Sequence, residues 1–444
     1  MGELTSLLEK GRAEEAIPDK KALYSEAEAR AEAERCLYCT DAPCIQACPT
    51  EINIPTFIKK IATGNVRGSA RTILEQNLLG YSCSRVCPVE ELCAGACVYE
   101  GWGREPIQIG RLQRFATENA MQEKGLRALH TPKAKIGKRV ACIGGGPASL
   151  AFAGYLALEG VDAVVLEKRA FAGGLNTTGI APYKLRAADA LREVEWVLDL
   201  GVELRRNVSV GPGGVRGSQL LEEYDAVYVG VGLGEDSRLG APGEDGPGVI
   251  GAVDWIERMK LDPKATRPND RVVVIGGGNT AIDVARESAL LGAKDVVMVY
   301  RRGKDVMSGY AHEMEGARKE GVRMLEHAIP VEFVRDGEGH LAAVRLARTE
   351  GGKPVPGTEW ELPCDLAVLA IGQSKLRDIV QELPGVQLDK RGCVVVDEKT
   401  GQTGNAKVFA GGDCINGGKE VVNAVADGRN AARHLIAQWK VTNG

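Results

Sequence analysis

Eight of the twelve cysteines lie between residues 36 and 97, in two groups whose spacing could bind iron and sulfide. The first group reads C-x2-C-x4-C-x3-C-P and comprises Cys36, Cys39, Cys44 and Cys48. The second group reads C-x3-C-P followed by C-x3-C and comprises Cys83, Cys87, Cys93 and Cys97. Disulfides are uncommon in long chains without a secretory signal, and zinc sites usually use paired CxxC units. A run ending in Cys-Pro is typical of iron–sulfur proteins, so we predict two 4Fe–4S clusters, with zinc or inert buried thiols as alternatives.

A glycine-rich loop follows the apolar residues 139–143 and has the features of a dinucleotide-binding loop. Gly144 would allow a tight turn, and Gly146 would let the backbone approach a pyrophosphate at a helix N-terminus. Glu167 lies 23 residues beyond Gly144, where a carboxylate can bind ribose hydroxyls. The predicted binding residues of this unit are Gly144, Gly146, Pro147, Ala148, Ser149 and Glu167.

The same strand–loop–helix–strand pattern recurs from residue 271 to residue 300. Its predicted loop residues are Gly276, Gly278, Asn279 and Thr280. Where the first unit has an acid, this one has Arg301 and Arg302, with Lys304 close behind. Guanidinium groups bind a 2′-phosphate that a carboxylate would repel, so these residues favour NADPH over NADH. The alternative is that the two arginines form only a solvated strand end.

A third signal lies near the carboxyl terminus, where residues 407–413 predict a strand ending in Gly412 and Asp413. A helix is expected to begin around Lys419. Flavoproteins with two dinucleotide domains use such an aspartate on the ribityl chain, with the following helix dipole facing the flavin. We therefore predict that the first loop and Asp413 bind FAD; the alternative is a simple turn.

Composition excludes several other function classes. The 444 residues suggest two to four domains, and 56 basic against 60 acidic side chains leave a net charge of −4. This balance disfavours nucleic acid or an anionic membrane as a partner. No apolar run approaches the ~18 residues of a membrane helix, and the first 21 residues lack a signal-peptide core, so we expect a cytoplasmic protein.

Together these segments resemble the flavin subunit of bacterial dihydropyrimidine dehydrogenases, and the glutamate synthase small subunit is a close relative of that family. The resemblance spans essentially the full chain. It is carried by CLYCTDAPC at 36–44, CSRVCP at 83–88, GRLQRF at 110–115, GGL at 173–175 and VFAGGD at 408–413. It adds Gly174, Leu175 and Gly372 to the expected FAD site.

The resemblance also implies which residues bind each cluster. One cluster would be bound by Cys36, Cys39, Cys44 and Cys97. The other would be bound by Cys48, Cys87, Cys93 and Gln113. Spacing alone would make Cys83 the eighth ligand. The resemblance instead assigns Gln113 to that position and gives Cys83 no role as a ligand, and we follow the resemblance. Glutamate synthase small subunits tend to carry glutamate at the position of Gln113, so this residue favours the dihydropyrimidine dehydrogenases; the alternative is a surface glutamine on a helix.

The expected fold class is α/β, with two Rossmann-like domains, one inserted in the other, after an α-helical iron–sulfur domain. The predicted limits are 1–137 for the helical domain, 138–250 and 372–444 for the FAD domain, and 251–371 for the NADPH domain. The resemblance implies that NAD(P)H is oxidised through FAD and that electrons pass through the clusters to a partner subunit. That partner would be a barrel protein with FMN and iron–sulfur centres that reduces uracil or thymine in a hetero-oligomer. The glutamate synthase small subunit is the alternative.

The sequence disfavours two further function classes. Disulfide reductases need a cysteine pair beside the flavin, and residues 173–179 contain no cysteine. This chain has every expected loop glycine except at position 149, where it has a serine. A scaffold or redox sensor without turnover would not need these glycines. Hydride transfer depends on positioning, so no catalytic acid or base is expected.

Overall fold

The computed structural model of the protein describes residues 2–122, 126–265 and 270–442. Its helices and strands in these ranges are numbered along the chain. The helices are α1 (Glu26–Glu34), α2 (Pro43–Gln46), α3 (Ile54–Ala62), α4 (Val66–Gln76), α5 (Gly80–Val86), α6 (Val98–Gly101), α7 (Ile109–Met121), α8 (Pro147–Leu158), α9 (Leu175–Thr178), α10 (Ala187–Leu198), α11 (Gly217–Glu223), α12 (Ala252–Leu261), α13 (Asn279–Leu290), α14 (Ala311–Lys319), α15 (Arg377–Gln381), α16 (Asp413–Asn416) and α17 (Val421–Thr442). The strands are β1 (Arg139–Ile143), β2 (Asp162–Glu167), β3 (Glu203–Arg206), β4 (Ala226–Val229), β5 (Val249–Gly251), β6 (Arg271–Ile275), β7 (Asp295–Tyr300), β8 (Arg323–Glu326), β9 (Ala328–Arg335), β10 (Leu341–Glu350), β11 (Lys353–Pro354), β12 (Trp360–Pro363), β13 (Leu366–Leu369) and β14 (Val408–Ala410).

Helices α1 to α7 form the amino-terminal region, and polar side chains cap several of them. Ser25 and Glu28 form a reciprocal capping box at the start of α1. Asn53 and Asn65 accept backbone hydrogen bonds in the first turns of α3 and α4. The helices pack through apolar side chains such as the fully buried Phe57. The cysteines are therefore held between short, capped helices rather than on one long element.

The first parallel sheet has the strand order β14-β4-β1-β2-β3. Strands β1 and β2 are almost wholly buried, as expected where helices cover both faces of a parallel sheet. Because β1 lies between β2 and β4, the direction of the connections reverses there. Ligands of such sheets bind outside the carboxyl ends of the strands at this switch point.

The second parallel sheet has the order β5-β13-β6-β7-β8, with its own switch point at β6. An antiparallel sheet, in which β10 pairs with β9, β11 and β12, follows β8 along the chain. The sequence did not predict this third sheet. The predicted α/β class with a helical amino-terminal region is confirmed.

Strand pairing differs from the predicted segment limits at a few places. Strand β5 pairs with β13 in the second sheet, although the sequence placed residues up to 250 in the first nucleotide domain. The strand predicted over 366–372 ends at Leu369, and the last long helix begins at Val421 rather than near Lys419. The domain limits themselves stay a prediction.

Residues 13–21, here called the strap, pack against the second sheet's domain rather than only among the helices. Ile17 is buried in the apolar core that includes residues of α12 and α13. Lys20 donates from Nζ to Glu313 Oε2 at 2.9 Å and from its backbone N–H to the Tyr183 carbonyl at 3.0 Å. The strap thus touches both nucleotide domains. Over the described ranges, no helix combines the length and apolar character that crossing a membrane requires.

Candidate redox site

The loop after β1 has the backbone that a diphosphate cradle requires. Gly144 has φ +89°, and a Cβ there would lie 2.8 Å from the Gly230 carbonyl oxygen at the switch point. Gly174 has φ +54°, and its Cβ would lie 2.9 Å from the Cα of Gly146. A Cβ on Gly146 itself would meet nothing closer than 3.8 Å, so its bare backbone faces open space. A diphosphate could therefore approach the loop at the start of α8.

Glu167 ends β2 beside this loop and is largely buried. Its Oε2 accepts a hydrogen bond from the Gly145 N–H at 2.7 Å, and its Oε1 accepts one from the Arg169 N–H at 2.8 Å. These two bonds fix the carboxylate at the carboxyl end of the sheet. That position suits the binding of ribose hydroxyls.

Asp413 begins α16 directly after β14. Burial raises the pKa of Asp413, an effect partly offset by the hydrogen bond that the Lys419 N–H donates to its Oδ1 at 3.1 Å. Ser149 Oγ is buried and has no hydrogen-bond partner within the described ranges. Asp413 thus has its carboxylate at the cavity beside the first loop, whereas the Ser149 hydroxyl is enclosed.

A single cavity of about 1520 Å³ joins these elements to the second nucleotide unit. Its volume exceeds the ~300–1,000 Å³ of an ordinary small-molecule site and can admit two nucleotides. The predicted residues that line it are Gly144, Gly146, Pro147, Ala148, Glu167, Gly174, Leu175, Asn279, Thr280, Gly412 and Asp413. The predicted residues outside its lining are Ser149, Gly276, Gly278, Arg301, Arg302, Lys304 and Gly372.

The second glycine loop is shaped by its neighbours β13 and β7. A Cβ on Gly276, where φ is +148°, would lie 2.3 Å from the Ala370 carbonyl oxygen. Asn279 starts α13, and its Oδ1 accepts a hydrogen bond from the Tyr310 N–H at 2.9 Å. Arg301 and Arg302 follow β7 as exposed side chains. Within the described ranges neither guanidinium forms an ion pair, so both are available to an anion.

The four cysteines of the first predicted cluster lie together. Burial, together with the neighbouring thiols of Cys36, Cys97 and Cys39, raises the pKa of Cys44 to about 12. Burial also raises the pKa of Cys36, with Cys39 and Cys97 again contributing. All twelve cysteines fall in the described ranges and are free thiols.

The cysteines of the second predicted cluster lie next to those of the first, and two of them, Cys48 and Cys93, are buried. Burial raises the pKa of Cys93, followed by the effects of Cys87, Cys48 and Cys44. A hydrogen bond with Cys83 is the main cause that raises the pKa of Cys87, and Cys87 also lines the cavity. Across the described ranges no three His, Cys, Asp or Glu side chains are grouped closely enough to hold a single metal ion. Two adjoining thiol groups fit cubane clusters, whose ligands surround four irons rather than one.

Gln113 lies on α7, which packs against α5, the helix that leads to Cys87. It is buried, and its Nε2 donates a hydrogen bond to the Gly80 carbonyl at 2.8 Å. The alternative of a surface glutamine is therefore wrong. Cys83 is also buried, so burial alone does not choose between the two as the eighth ligand.

A buried ion network that the sequence did not predict lies beside the cavity. Tyr183 donates from Oη to Asp283, and Lys184 lies 2.7 Å from Asp283 and 3.3 Å from Glu313. Arg286 lies 2.7 Å from Glu313. Burial opposes ionisation, but the surrounding cations lower the pKa of Glu313 to about 2. The available signal was that Asp283 and Arg286 stand among the apolar residues in the middle of α13, because charged residues are rarely buried without partners.

Known proteins resemble both parts of the chain. A family model described as dihydropyrimidine dehydrogenase domain II, 4Fe-4S cluster, matches residues 13–125. A second model, described as pyridine nucleotide-disulphide oxidoreductase, matches residues 138–428.

Full-length relatives and solved structures agree with these matches. The glutamate synthase [NADPH] small chain of Escherichia coli K12 is 35% identical over 437 residues, covering 93% of this chain and 92% of that protein. The NAD-dependent dihydropyrimidine dehydrogenase subunit PreT of E. coli K12 is 36% identical over 404 residues, covering 91% of this chain and 92% of that protein. Mycobacterium tuberculosis FprA in complex with NADPH has a TM-score of 0.54 at 22% identity, covering 69% of this chain and 85% of that chain, which shows the fold alone. The chain thus belongs to the pyridine nucleotide-disulphide oxidoreductase family, among its NAD(P)H-dependent flavin and iron–sulfur oxidoreductase subunits.

Proposed function

We propose that the protein oxidises NADPH at bound FAD and passes the electrons singly, through two 4Fe–4S clusters, to a partner subunit. The observation that carries this proposal is the cavity that both dinucleotide loops share with Cys87. A flavin accepts an electron pair from nicotinamide and releases single electrons, which iron–sulfur clusters carry. The role of the protein would be to hold the nicotinamide, the flavin and the clusters in position, because hydride transfer needs no proton donor.

The residues proposed to bind FAD surround the first switch point. Backbone N–H groups at the start of α8 would bind the diphosphate, Glu167 the ribose and Asp413 the ribityl chain. The full proposed set is Gly144, Gly146, Pro147, Ala148, Ser149, Glu167, Gly174, Leu175, Gly372, Gly412 and Asp413. Of these, Ser149 lies behind the loop and Gly372 lies beside the cavity wall formed by Gln373.

The residues proposed to bind NADPH lie at the second switch point. The proposed set is Gly276, Gly278, Asn279, Thr280, Arg301, Arg302 and Lys304. The loop residues would bind the diphosphate at the start of α13. The exposed guanidinium groups of Arg301 and Arg302 would bind the 2′-phosphate. This role is supported by the finding that neither group forms an ion pair within the described residues.

The proposed ligands divide the cysteines between two clusters. One cluster would be bound by Cys36, Cys39, Cys44 and Cys97, and the other by Cys48, Cys87, Cys93 and Gln113. Because Cys87 lines the cavity, the second cluster would receive electrons first. The first cluster, whose four cysteines are all partly exposed, would then face the partner.

For the partner, we propose a barrel protein with FMN and iron–sulfur centres that reduces uracil or thymine in a hetero-oligomer. The buried position of Gln113 next to α5 supports this choice, since the resemblance assigns a glutamine ligand to that family. A second candidate is the large subunit of glutamate synthase. Arg301 and Arg302 favour it, because the similar small chain is named for NADPH whereas PreT is named as NAD-dependent.

The test begins with anaerobically purified protein. NADPH should bleach its flavin absorbance and then its iron–sulfur absorbance, and an artificial one-electron acceptor should sustain turnover. Protein without either absorbance would overturn the proposal. Adding back a pyrimidine-reducing barrel or a glutamate synthase large subunit should then give NADPH-dependent uracil reduction or glutamate formation, and the active pair identifies the partner.

A further inference from the structure

Lys260 is a fully buried ammonium near the end of α12. Its Nζ donates three hydrogen bonds, all to backbone carbonyl oxygens. The acceptors are Asn176 at 3.0 Å, Ile180 at 2.9 Å and Leu185 at 2.8 Å. A lysine has three N–H donors, so every one is used.

Within the described ranges no carboxylate forms an ion pair with this ammonium, although Glu287 is close enough to raise its pKa. Glu287 is fully buried, and among the described residues neither of its carboxyl oxygens has a hydrogen-bond partner. Burial raises the pKa of Glu287 well above its usual value, and the nearby Asp283 carboxylate adds to the increase. Burying an ammonium is unfavourable and lowers the pKa of Lys260 to about 8, so the three carbonyl oxygens that accept its hydrogen bonds are the direct contacts that stabilise it.

The three carbonyls belong to one segment, residues 174–185, which lines the cavity. This segment begins with Gly174, carries the single helical turn α9 and ends beside Tyr183 and Lys184. Asn176 is buried within it, and its Oδ1 has no partner among the described residues. Because α9 spans only four residues, its own hydrogen bonds give the segment little rigidity.

Helix α12 is itself fixed at several points. Asp236 accepts hydrogen bonds from the N–H groups of Val253 and Asp254 at 3.0 and 3.1 Å, in the first turn of the helix. Glu257, in its middle, forms an ion pair with Arg169 of the first domain. The helix also packs against α13, which begins at the second glycine loop. Lys260 therefore links that loop's domain to the flavin-facing segment.

We propose that Lys260 is a positioning residue for flavin reduction, because it holds residues 174–185 in register with the nucleotide domain. The inference rests on the proposed FAD and NADPH sites. It assigns Lys260 no contact with either cofactor. Its effect is to fix the segment between the two reactants, so its loss should change the rate of transfer more than the affinity for NADPH.

The test compares wild type with Lys260→Met, which keeps the side-chain length and loses all three donors. Lys264→Met, at an exposed lysine just beyond the same helix, is the matched control. Amide hydrogen exchange over residues 174–186 should be at least about 10-fold faster in Lys260→Met, with β1 and β6 peptides unchanged. In stopped-flow reduction, the limiting rate should fall by about 100-fold, while the half-saturating NADPH concentration stays within about 2-fold.

Lys260→Gln keeps two N–H donors and should give a smaller effect in both measurements. This variant still tests the proposal if Lys260→Met folds poorly. Unchanged exchange in residues 174–186, or reduction at the wild-type rate, would overturn the proposal. Faster exchange throughout the protein would overturn it as well, because it would indicate a general structural role. If NADPH fails to reduce the wild type, the proposed function is wrong, whereas the exchange measurement still tests the link made by Lys260.

Discussion

Gln113 Nε2 donates a hydrogen bond to the carbonyl oxygen of Gly80 at 2.8 Å, joining α7 to the first residue of α5. A carbonyl can only accept, so this contact fixes which end of the amide faces Gly80. The Oε1 atom therefore points elsewhere, and in the described ranges no donor bonds to it. This neutral oxygen is the atom left for the iron-binding role that we propose for Gln113.

Replacing Gln113 by alanine should alter one cluster and spare the other. The reason is that only the proposed second cluster uses this amide, and a ligand change shifts a cluster's reduction potential. Electron paramagnetic resonance during an anaerobic reductive titration should show one signal shifted or lost. Gln122→Ala, at the exposed residue that directly follows α7, should behave as wild type. Two altered signals would contradict the assignment.

The cysteine assignment predicts iron contents. Anaerobically purified wild type should hold about eight irons per chain, since each cubane holds four. Cys93→Ala should reduce this to about four, because its thiol lies among those of Cys87 and Cys48. Cys83→Ala should retain about eight despite its contact with Cys87. Loss of iron in the Cys83 variant, with none lost from Gln113→Ala, would make Cys83 the ligand.

The double variant Arg301→Ala with Arg302→Ala should weaken NADPH binding by about 10- to 100-fold, the effect of losing charge-assisted hydrogen bonds. Binding of NADH should change little, since it lacks the 2′-phosphate. Titration of flavin reduction with each nucleotide measures the difference. Arg318→Ala, an exposed arginine of the same domain, is the control. Equal weakening of NADPH and NADH would reject the phosphate-binding role.

Glu193 links the first nucleotide domain to α5. It is 1% exposed, and its Oε1 accepts hydrogen bonds from the N–H groups of Tyr81 at 2.9 Å and Ser82 at 3.1 Å. Burial raises its pKa to about 7, against the opposing effect of these bonds. The folded protein therefore binds this proton more tightly than the unfolded chain does, whose carboxyl titrates near 4.5.

Stability should consequently fall as the pH rises from about 4.5 to about 7, where the buried carboxylate becomes charged. Glu193→Gln lacks this charge, so its stability relative to wild type should improve by about 3 kcal/mol across that window. Urea unfolding of both proteins at pH 5 and pH 8 measures this change. Glu222→Gln, at an exposed site, should show no such trend. A constant difference between Glu193→Gln and wild type at the two pH values would rule out the buried charge.

Local patterns predicted the parts of the fold that depend on neighbours in sequence. Gly144 and Glu167 belong to one strand–loop–helix–strand unit, so their spacing carries the geometry. Lys260 and Glu193 could not be assigned in this way, because their partners lie 75 to 112 residues away and their burial depends on domain packing. Spacing favoured Cys83 over Gln113 because cysteine is the usual ligand, whereas the choice depends on how α5 and α7 meet. The strap was missed for the same reason, since nothing near Ile17 indicates the distant core that it enters.

The strap also fixes an order of events during synthesis. Lys20 and Glu313 are separated by 293 positions, and ribosomes add ~5–20 residues per second, so roughly 15 to 60 s pass between the two. The cysteine-bearing helices emerge early in that interval, before the strap has its partner. The contact between Lys20 and Glu313 can therefore form only after the later part of the chain has been made. A product truncated before Glu313 would contain the cysteine-bearing helices without this contact.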